Sequence, residues 1–281
     1  MFSRDCAEST SGQEHSAIIP LGFFGNRATI AKGEEGRMAG RVFVTGDTHG
    51  PSEISRLNTT FATGDALDKN DYLIICGDFG LVWADRSKYA YWLRWLEKKP
   101  FTTLFIDGNH ENFDMLDSME AQRWHGGLVH RVNDSVIHLM RGQVFDIAGR
   151  MFFCMGGARS VDRVRRTPHK SWWPQEMPSV DERAAAWEIL ERHGWRVDYV
   201  LTHCAASNAQ YRLNPTYEND DLTRFLFEVE RRLEYRHWFF GHYHEDCAIG
   251  ERQTAVFEDV IEIVPSDNGD TLRRVFDSSR P

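Results

Sequence analysis

The sequence predicts an α/β fold, in which two mixed β-sheets stack on each other and helices cover their outer faces as a four-layer α/β/β/α sandwich. Two observations lead to this prediction. In the first half of the 281-residue chain, short apolar runs alternate with segments of helical periodicity. In the middle, short β-type segments follow one another with turn residues between them, as in an antiparallel meander.

Apolar and β-branched runs that end at turn residues predict the strands. We expect buried strands at five such runs, 41–45, 72–76, 103–106, 199–201 and 238–240. The meander is expected to consist of four further strands, 128–132, 135–140, 143–147 and 150–155. A late strand pair is expected within 255–264.

Apolar residues at helical spacing predict the helices. In 85–99, aromatic and leucine residues from Tyr89 to Leu96 recur on one face, and Pro100 ends the helix. Further helices are expected at 52–60, 112–123, 181–193 and 219–235. The stretch 156–179 shows no periodicity, and we expect it to be an irregular loop.

We expect a single main domain at 39–268, followed by a C-terminal tail at 269–281. Residues 1–38 are expected to form an N-terminal extension that is either disordered or not native protein. Disorder is predicted by 1–17, which is rich in Ser, Thr, Glu and Gly and has little apolar periodicity. The second interpretation rests on the segment Gly33-Glu34-Glu35-Gly36. It would be encoded by a purine-rich nucleotide sequence that resembles a bacterial ribosome-binding site. On this hypothesis translation starts at Met38.

Charge and cysteine content exclude several classes of protein. The formal net charge of −9 and the pI near 5.7 argue against a general binder of nucleic acids or membrane surfaces, although a local basic patch is allowed. The five cysteines are odd in number and lack C-x-x-C spacing, which predicts reduced thiols and a cytoplasmic location. No apolar stretch approaches the roughly 20 residues of a membrane span, so no membrane partner is expected.

Side chains able to bind a metal follow directly after five of the predicted strands. The segments are Gly46-Asp47-Thr48-His49, Gly77-Asp78, Gly108-Asn109-His110-Glu111, Thr202-His203 and Gly241-His242-Tyr243-His244. Because residues i and i+2 of an extended chain point the same way, Asp47 and His49 can bind one ion together, as can His242 and His244. Mixed carboxylates and imidazoles suit Mn²⁺, Fe or Zn²⁺ better than Ca²⁺.

In this order, the five segments resemble the signature of the calcineurin-like metallophosphoesterase superfamily: D-x-H, G-D, G-N-H-[DE], a single His and G-H-x-H. The resemblance covers about 41–264 and suggests a bacterial-type metallophosphatase. It implies two divalent metal ions, with Mn²⁺ as the preferred metal and Fe or Zn as alternatives. The implied ligands are Asp47, His49 and His244 for one metal, Asn109, His203 and His242 for the other, and Asp78 as the bridge between them.

The same resemblance implies hydrolysis of a phosphomonoester or phosphodiester by a hydroxide that bridges the two metals. His110 resembles the catalytic histidine of the superfamily, which stabilises developing charge or protonates the leaving oxygen. Asp78 would contribute to catalysis as the bridge, and Asn109 would contact the substrate. Either Glu111 or Asp78 could orient His110, and the sequence does not decide between them.

The predicted loop contains a basic segment, 159–170, with five Lys or Arg residues. Arginines suit bidentate capture of phosphate, and Arg159, close to Gly156-Gly157, is the predicted substrate-binding residue. A solvated loop explains the same residues equally well.

The implied substrate is a phosphorylated small molecule, a nucleotide or a phosphoprotein, with nucleic acid less favoured. Protein Ser/Thr phosphatases of the superfamily have Asp-Arg-Gly shortly after the second motif, whereas Asp78 is followed here by Phe79-Gly80-Leu81. That substrate arginine is therefore absent at this place, although the third motif resembles theirs. An alternative class is a catalytically silent scaffold for protein interaction, but all the ligand positions of the signature are filled.

Overall fold

The computed structural model describes residues 19–20, 40–57, 67–83, 86–266 and 269–276. The strands in these ranges are β1 (Ile19–Pro20), β2 (Val42–Thr45), β3 (Tyr72–Ile75), β4 (Thr102–Phe105), β5 (Ala121–Trp124), β6 (Gly127–Asn133), β7 (Val136–Leu139), β8 (Gln143–Ile147), β9 (Arg150–Met155), β10 (Tyr199–Thr202), β11 (His237–Phe240), β12 (Cys247–Ala248), β13 (Gln253–Ala255), β14 (Val260–Val264) and β15 (Thr271–Phe276). The α-helices are α1 (Arg86–Glu97), α2 (Phe113–Asp117), α3 (Val180–Arg192), α4 (Ser207–Leu213) and α5 (Asp221–Arg232).

These strands form two mixed sheets. One has the order β1-β15-β14-β2-β3-β4-β7-β6-β5, and the other has the order β12-β13-β11-β10-β9-β8. In the first sheet β2, β3 and β4 run parallel and in register, so that Tyr72 is paired with Val42 on one side and Thr102 on the other. In the second sheet β9, β10, β11 and β13 are parallel. Within each sheet, the carboxyl ends of the parallel strands therefore lie at the same edge.

Three hydrophobic clusters separate the layers of the fold. Ile74 of the first sheet and Leu201 of the second belong to the cluster between the sheets. Leu96 of α1 belongs to the cluster on the outer face of the first sheet, and Leu226 of α5 to the cluster on the outer face of the second. The predicted α/β/β/α sandwich is confirmed.

Some predicted elements differ from the structure. The range 112–123 contains the short helix α2 and then β5, which pairs with β6 instead of continuing a helix. In the predicted helix 52–60, the chain forms 3₁₀ turns at Gly50–Ser52 and Ile54–Arg56, and Leu57 is α-helical. Residues 58–60 lie outside the described residues. Helix α4 was not predicted.

The late strand pair was also predicted wrongly. β13 and β14 lie in different sheets, because the chain crosses from one sheet to the other between them. In this crossing, the Val256 N–H donates to the Phe240 carbonyl of the second sheet, and Phe257 accepts from the Gly46 N–H beside the first.

The ends of the predicted domain stay predictions. Most of the predicted extension 1–38 lies outside the described residues, and its described part, Ile19–Pro20, pairs with β15. β15 in turn pairs with β14, so the first sheet includes residues from the range predicted as a tail. Across the described ranges, the helices are too short or too polar to cross a membrane. The cysteines at positions 76, 154, 204 and 247 are free thiols.

Candidate metal centre

Each predicted metal ligand lies just beyond the carboxyl end of a parallel strand. The first sheet supplies Asp47 and His49 after β2, Asp78 after β3 and Asn109 after β4, and the second supplies His203 after β10 and His242 and His244 after β11. Residues of the two sheets are in contact here. The His242 N–H donates to Oδ1 of Asp47 at 3.0 Å, and Nδ1 of His203 lies 2.9 Å from the carbonyl oxygen of Cys76.

Among the described residues, three overlapping groups of side chains bring possible ligand atoms within 4.8 Å of one another. They are Asp47, His49 and His244; Asp47, Asp78 and His203; and His49, Asp78 and His110. The first group coincides with one of the predicted ligand sets. The third includes His110, which the sequence treats as a catalytic residue and not as a ligand.

The buried carboxylate of Asp78 lies between the two predicted ligand sets. Its Oδ2 is 3.3 Å from Nε2 of His49, and its Oδ1 is 3.4 Å from Nε2 of His203. Oδ1 also accepts the backbone N–H of His110 at 2.7 Å. Each oxygen faces a different set, which is the placement that a bridging carboxylate requires.

Asn109, His203 and His242 are neighbours as well. Oδ1 of Asn109 lies 3.0 Å from Nε2 of His203, and its Nδ2 donates to Oγ of Ser160 at 3.1 Å. The rings of His203 and His242 meet edge to face with their centroids 5.0 Å apart. The hydrogen bond to Ser160 directs the amide oxygen of Asn109, the atom able to bind a cation, towards the centre.

Hydrogen bonds behind two of the histidines direct their Nε2 atoms into the site. A carbonyl oxygen only accepts, so Nδ1 of His203 must donate to Cys76, and its Nε2 faces Asp78. For His49 the corresponding partner is Glu53, whose Oε2 lies 3.0 Å from Nδ1. Glu53 was missed by the sequence reasoning, and its only signal was its position one helical turn after His49.

The carboxylates at the centre attract positive charge. Burial lowers the pKa of His203, but Asp78 and Asp47 outweigh it and raise this pKa to about 10. Burial also disfavours protonation of His49, but Asp78, Glu53 and Asp47 raise its pKa to about 9. The pKa of Asp78 lies well below its usual value, because the nearby histidines outweigh the effect of burial. This charge distribution favours binding of a cation.

A buried oxygen without a hydrogen-bond partner also indicates that these residues suit a divalent metal. Oδ2 of Asp47 is buried and accepts no hydrogen bond from the described residues, although Nε2 of His244 lies 3.3 Å away. A buried carboxylate oxygen without a partner is costly, and a coordinated cation would satisfy it. The mixture of carboxylate, amide and imidazole donors suits Mn²⁺, Fe or Zn²⁺.

The backbone at the centre is strained. Eight non-glycine residues of the described ranges have positive φ, and four of them are His49 (41°), Asp78 (46°), His242 (70°) and His244 (54°). Such residues are uncommon and concentrate at functional sites. At Gly108 a Cβ atom would lie 2.0 Å from Oδ1 of Asp78, so only glycine allows the third segment to pass this close.

The model of the calcineurin-like phosphoesterase family matches residues 40–246, which include all five segments. The chain belongs to this family. No protein of known, curated function matches the chain.

Two solved structures are similar to this phosphoesterase at low identity. A protein serine/threonine phosphatase from Saccharomyces cerevisiae, described as similar to human phosphatase PP5, is 15% identical, and the match covers 87% of this chain and 82% of that chain with a TM-score of 0.37. The phosphopantetheinyl hydrolase PptH from Mycobacterium tuberculosis is 13% identical, with 78% and 90% coverage and a TM-score of 0.39.

Neither of the carboxylates expected to orient His110 in this phosphoesterase forms a hydrogen bond with its ring. The carboxylate of Glu111 instead accepts the backbone N–H groups of Phe79 and Gly80, at 2.7 and 3.2 Å. Oδ2 of Asp78 is 3.9 Å from Nε2 of His110, too far for a hydrogen bond. The ring contacts the guanidinium of Arg166, whose Nη1 lies 2.7 Å from Nδ1. Burial lowers the pKa of His110; Asp78 opposes this and Arg166 adds to it.

Two cavities open beside the centre. The first, of about 310 Å³, is lined by His49, His110, Trp83 and Tyr89 among others. The second, of about 480 Å³, is lined by Arg159, Glu218, Tyr217, His242 and His244 among others. The predicted substrate residue Arg159 thus borders the second cavity, where its Nη1 lies 3.6 Å from Oε2 of Glu218.

Proposed function

We propose that this phosphoesterase hydrolyses a phosphomonoester or phosphodiester with two divalent metal ions, Mn²⁺ in first place. The observation that carries the proposal is the position of Asp78, whose two carboxylate oxygens face two different sets of ligand side chains. The residues that would hold the ions are Asp47, His49 and His244 on one side, Asn109, His203 and His242 on the other, and Asp78 between them.

When bound, two such ions polarise the phosphoryl oxygens and lower the pKa of water. The remaining steps fall to the side chains around them. His110 lies at the wall of the first cavity and is placed to stabilise the leaving oxygen or to donate a proton to it. Asn109 would contact the phosphoryl group, and Arg159 would bind the part of the substrate that enters the second cavity.

Turnover of two chromogenic esters with added Mn²⁺ tests this function directly. We expect hydrolysis of p-nitrophenyl phosphate, bis-p-nitrophenyl phosphate or both, together with bound metal in elemental analysis. Hydrolysis that persists in EDTA, or the absence of both turnover and bound metal, would contradict the proposal. The absence of both turnover and bound metal would favour a catalytically silent scaffold.

Two variants separate metal binding from catalysis. Asp78→Asn removes the carboxylate between the ligand sets, so we expect it to lower the metal content at both sites. His110→Ala should retain the metal and lower kcat by about 10²- to 10⁴-fold, because it removes the group that assists the leaving oxygen. Asp134→Asn, in the exposed turn between β6 and β7, is the control. Equal loss of metal in both variants would contradict the assigned roles.

A further inference from the structure

Arg166 lies in the irregular loop 156–179 and directs its guanidinium at the centre. Its Nε is 2.8 Å from Oδ1 of Asp162, which holds the guanidinium from behind. On the other side, Nη1 lies 2.7 Å from Nδ1 of His110 and Nη2 lies 3.3 Å from Nε2 of the same ring. The side chain is 20% exposed, so the group is held in place and still accessible.

His110 cannot accept hydrogen bonds from both Nη groups of Arg166. A neutral imidazole offers one acceptor nitrogen and a protonated one offers none, whereas both Nη groups of arginine only donate. At most one of the two contacts to His110 is therefore a hydrogen bond. Nη1 makes the shorter contact to His110 and also donates to the carbonyl oxygen of Ser171 at 3.3 Å. Nη2 lies beside Nε2 of His110, the ring nitrogen nearer to Asp78, and it has a donor that needs an acceptor. Phosphoryl oxygens match the fork of a guanidinium.

We propose that Arg166 binds the phosphoryl oxygen that the metals leave free, and that it makes the site selective for phosphomonoesters. The proposal rests on the proposed function. A monoester carries close to two negative charges near neutral pH and has three oxygens that are not in the ester bond. Two of these oxygens would face the two metals. In a monoester the third oxygen shares the negative charge, whereas in a diester an uncharged ester oxygen takes its place.

The surroundings of the other arginines in the segment 159–170 favour Arg166 for this role. Arg159 has Glu218 as its ionic partner across the second cavity. Arg163 and Arg165 are exposed on the same 3₁₀ turn that precedes Arg166. Of the arginines in the segment 159–170, it is Arg166 whose guanidinium contacts His110.

Two esters with the same leaving group test the proposal in the full-length, Mn²⁺-loaded protein. We expect Arg166→Ala to lower kcat/KM for p-nitrophenyl phosphate by about 10- to 100-fold, the effect of losing a charge-assisted hydrogen bond. For methyl p-nitrophenyl phosphate we expect a loss of less than about threefold, because this ester lacks the third charged oxygen. Arg166→Lys should recover part of the monoester activity, and Arg163→Ala, with the same change of charge, should change neither rate.

Equilibrium binding gives a second readout that does not depend on turnover. We expect Arg166→Ala and Arg166→Gln to weaken the Kd of inorganic phosphate by about tenfold in calorimetry, with unchanged metal content and melting temperature. Equal losses for both esters, or an unchanged Kd for phosphate, would overturn the proposal. If the unmodified protein hydrolyses neither ester, the proposed function fails, and phosphate binding still decides the role of Arg166.

Discussion

The carboxylate of Glu53 determines which nitrogen of His49 faces the centre, because it lies 3.0 Å from Nδ1 and leaves Nε2 directed at Asp78. Removing such a partner from a metal-binding histidine typically weakens metal affinity about 10- to 100-fold. We expect this loss of Mn²⁺ affinity in Glu53→Ala, measured by titration calorimetry, and a smaller loss in Glu53→Gln, whose amide oxygen still accepts. Glu120→Ala removes an exposed carboxylate and is the control. An affinity that does not change would show that Glu53 has no part in orienting His49.

At the residue scale, motif spacing made the candidate ligands predictable and left their supporting residues undetected. Asp47 and His49 belong to a segment with fixed spacing directly after a strand. Arg166 reaches His110 from 56 residues further along the chain, and no spacing rule connects the two. Tertiary contacts alone place it there, which is why Arg159, the arginine nearest to a recognisable glycine pair, was predicted in its stead.

The loop 156–179 includes two 3₁₀ turns, Arg163–Arg165 and Pro174–Glu176. Buried hydrogen bonds hold this loop against the centre. Oε1 of Glu176 accepts the backbone N–H of Ser160 at 2.9 Å, and its Oε2 accepts the hydroxyl of Ser160, which in turn accepts from Asn109. Glu176→Ala would leave a buried N–H without an acceptor. We expect it to lower the free energy of unfolding by about 1–3 kcal/mol in urea titrations. Glu188→Ala on the exposed side of α3 is the control, and an equally small effect in both variants would contradict this role.

Elements with a strong local pattern were predictable, and elements formed by distant pairing were not. Helix α3 agrees with the predicted helix 181–193 to within one residue at each end, and the structure adds a capping box between Ser179 and Glu182. β5 has a mostly exposed surface without alternation, and pairing with β6 is what makes it a strand. The apolar pattern predicted strands at β13 and β14, but it did not predict the sheet to which each strand belongs.

Over the whole molecule, a buried histidine away from the centre links stability to pH. His237 on β11 is 1% exposed, and its Nε2 lies 2.8 Å from Oγ1 of Thr254. Burial, with a contribution from Arg252, lowers the pKa of His237 to about 3. An unfolded histidine has a pKa of about 6.5, so the unfolded chain binds more protons between these two values. The contribution of His237 to stability therefore falls as the pH decreases through this window.

Protonation of this histidine in the unfolded chain should make the free energy of unfolding about 2 kcal/mol lower at pH 5 than at pH 7. His237→Gln can still hydrogen bond with Thr254 and does not titrate, so we expect a smaller difference between its free energies of unfolding at the two pH values. Urea titrations at both pH values measure this difference. His193→Gln, at an exposed position after α3, should behave like the unmodified protein. An equally large fall in His237→Gln would mean that other groups cause the acid sensitivity.

The candidate centre takes its ligands from both sheets, and Asp47 and His242 meet there although 195 residues separate them in the chain. An ion held by Asp47 of the first sheet and His244 of the second would close a loop that spans most of the molecule. Since ligands that bind only the folded state stabilise it, heat resistance and activity would depend on the same ions. When metal is scarce, a cell would then lose the protein itself to unfolding and proteolysis, so the amount of this phosphoesterase would follow the metal supply.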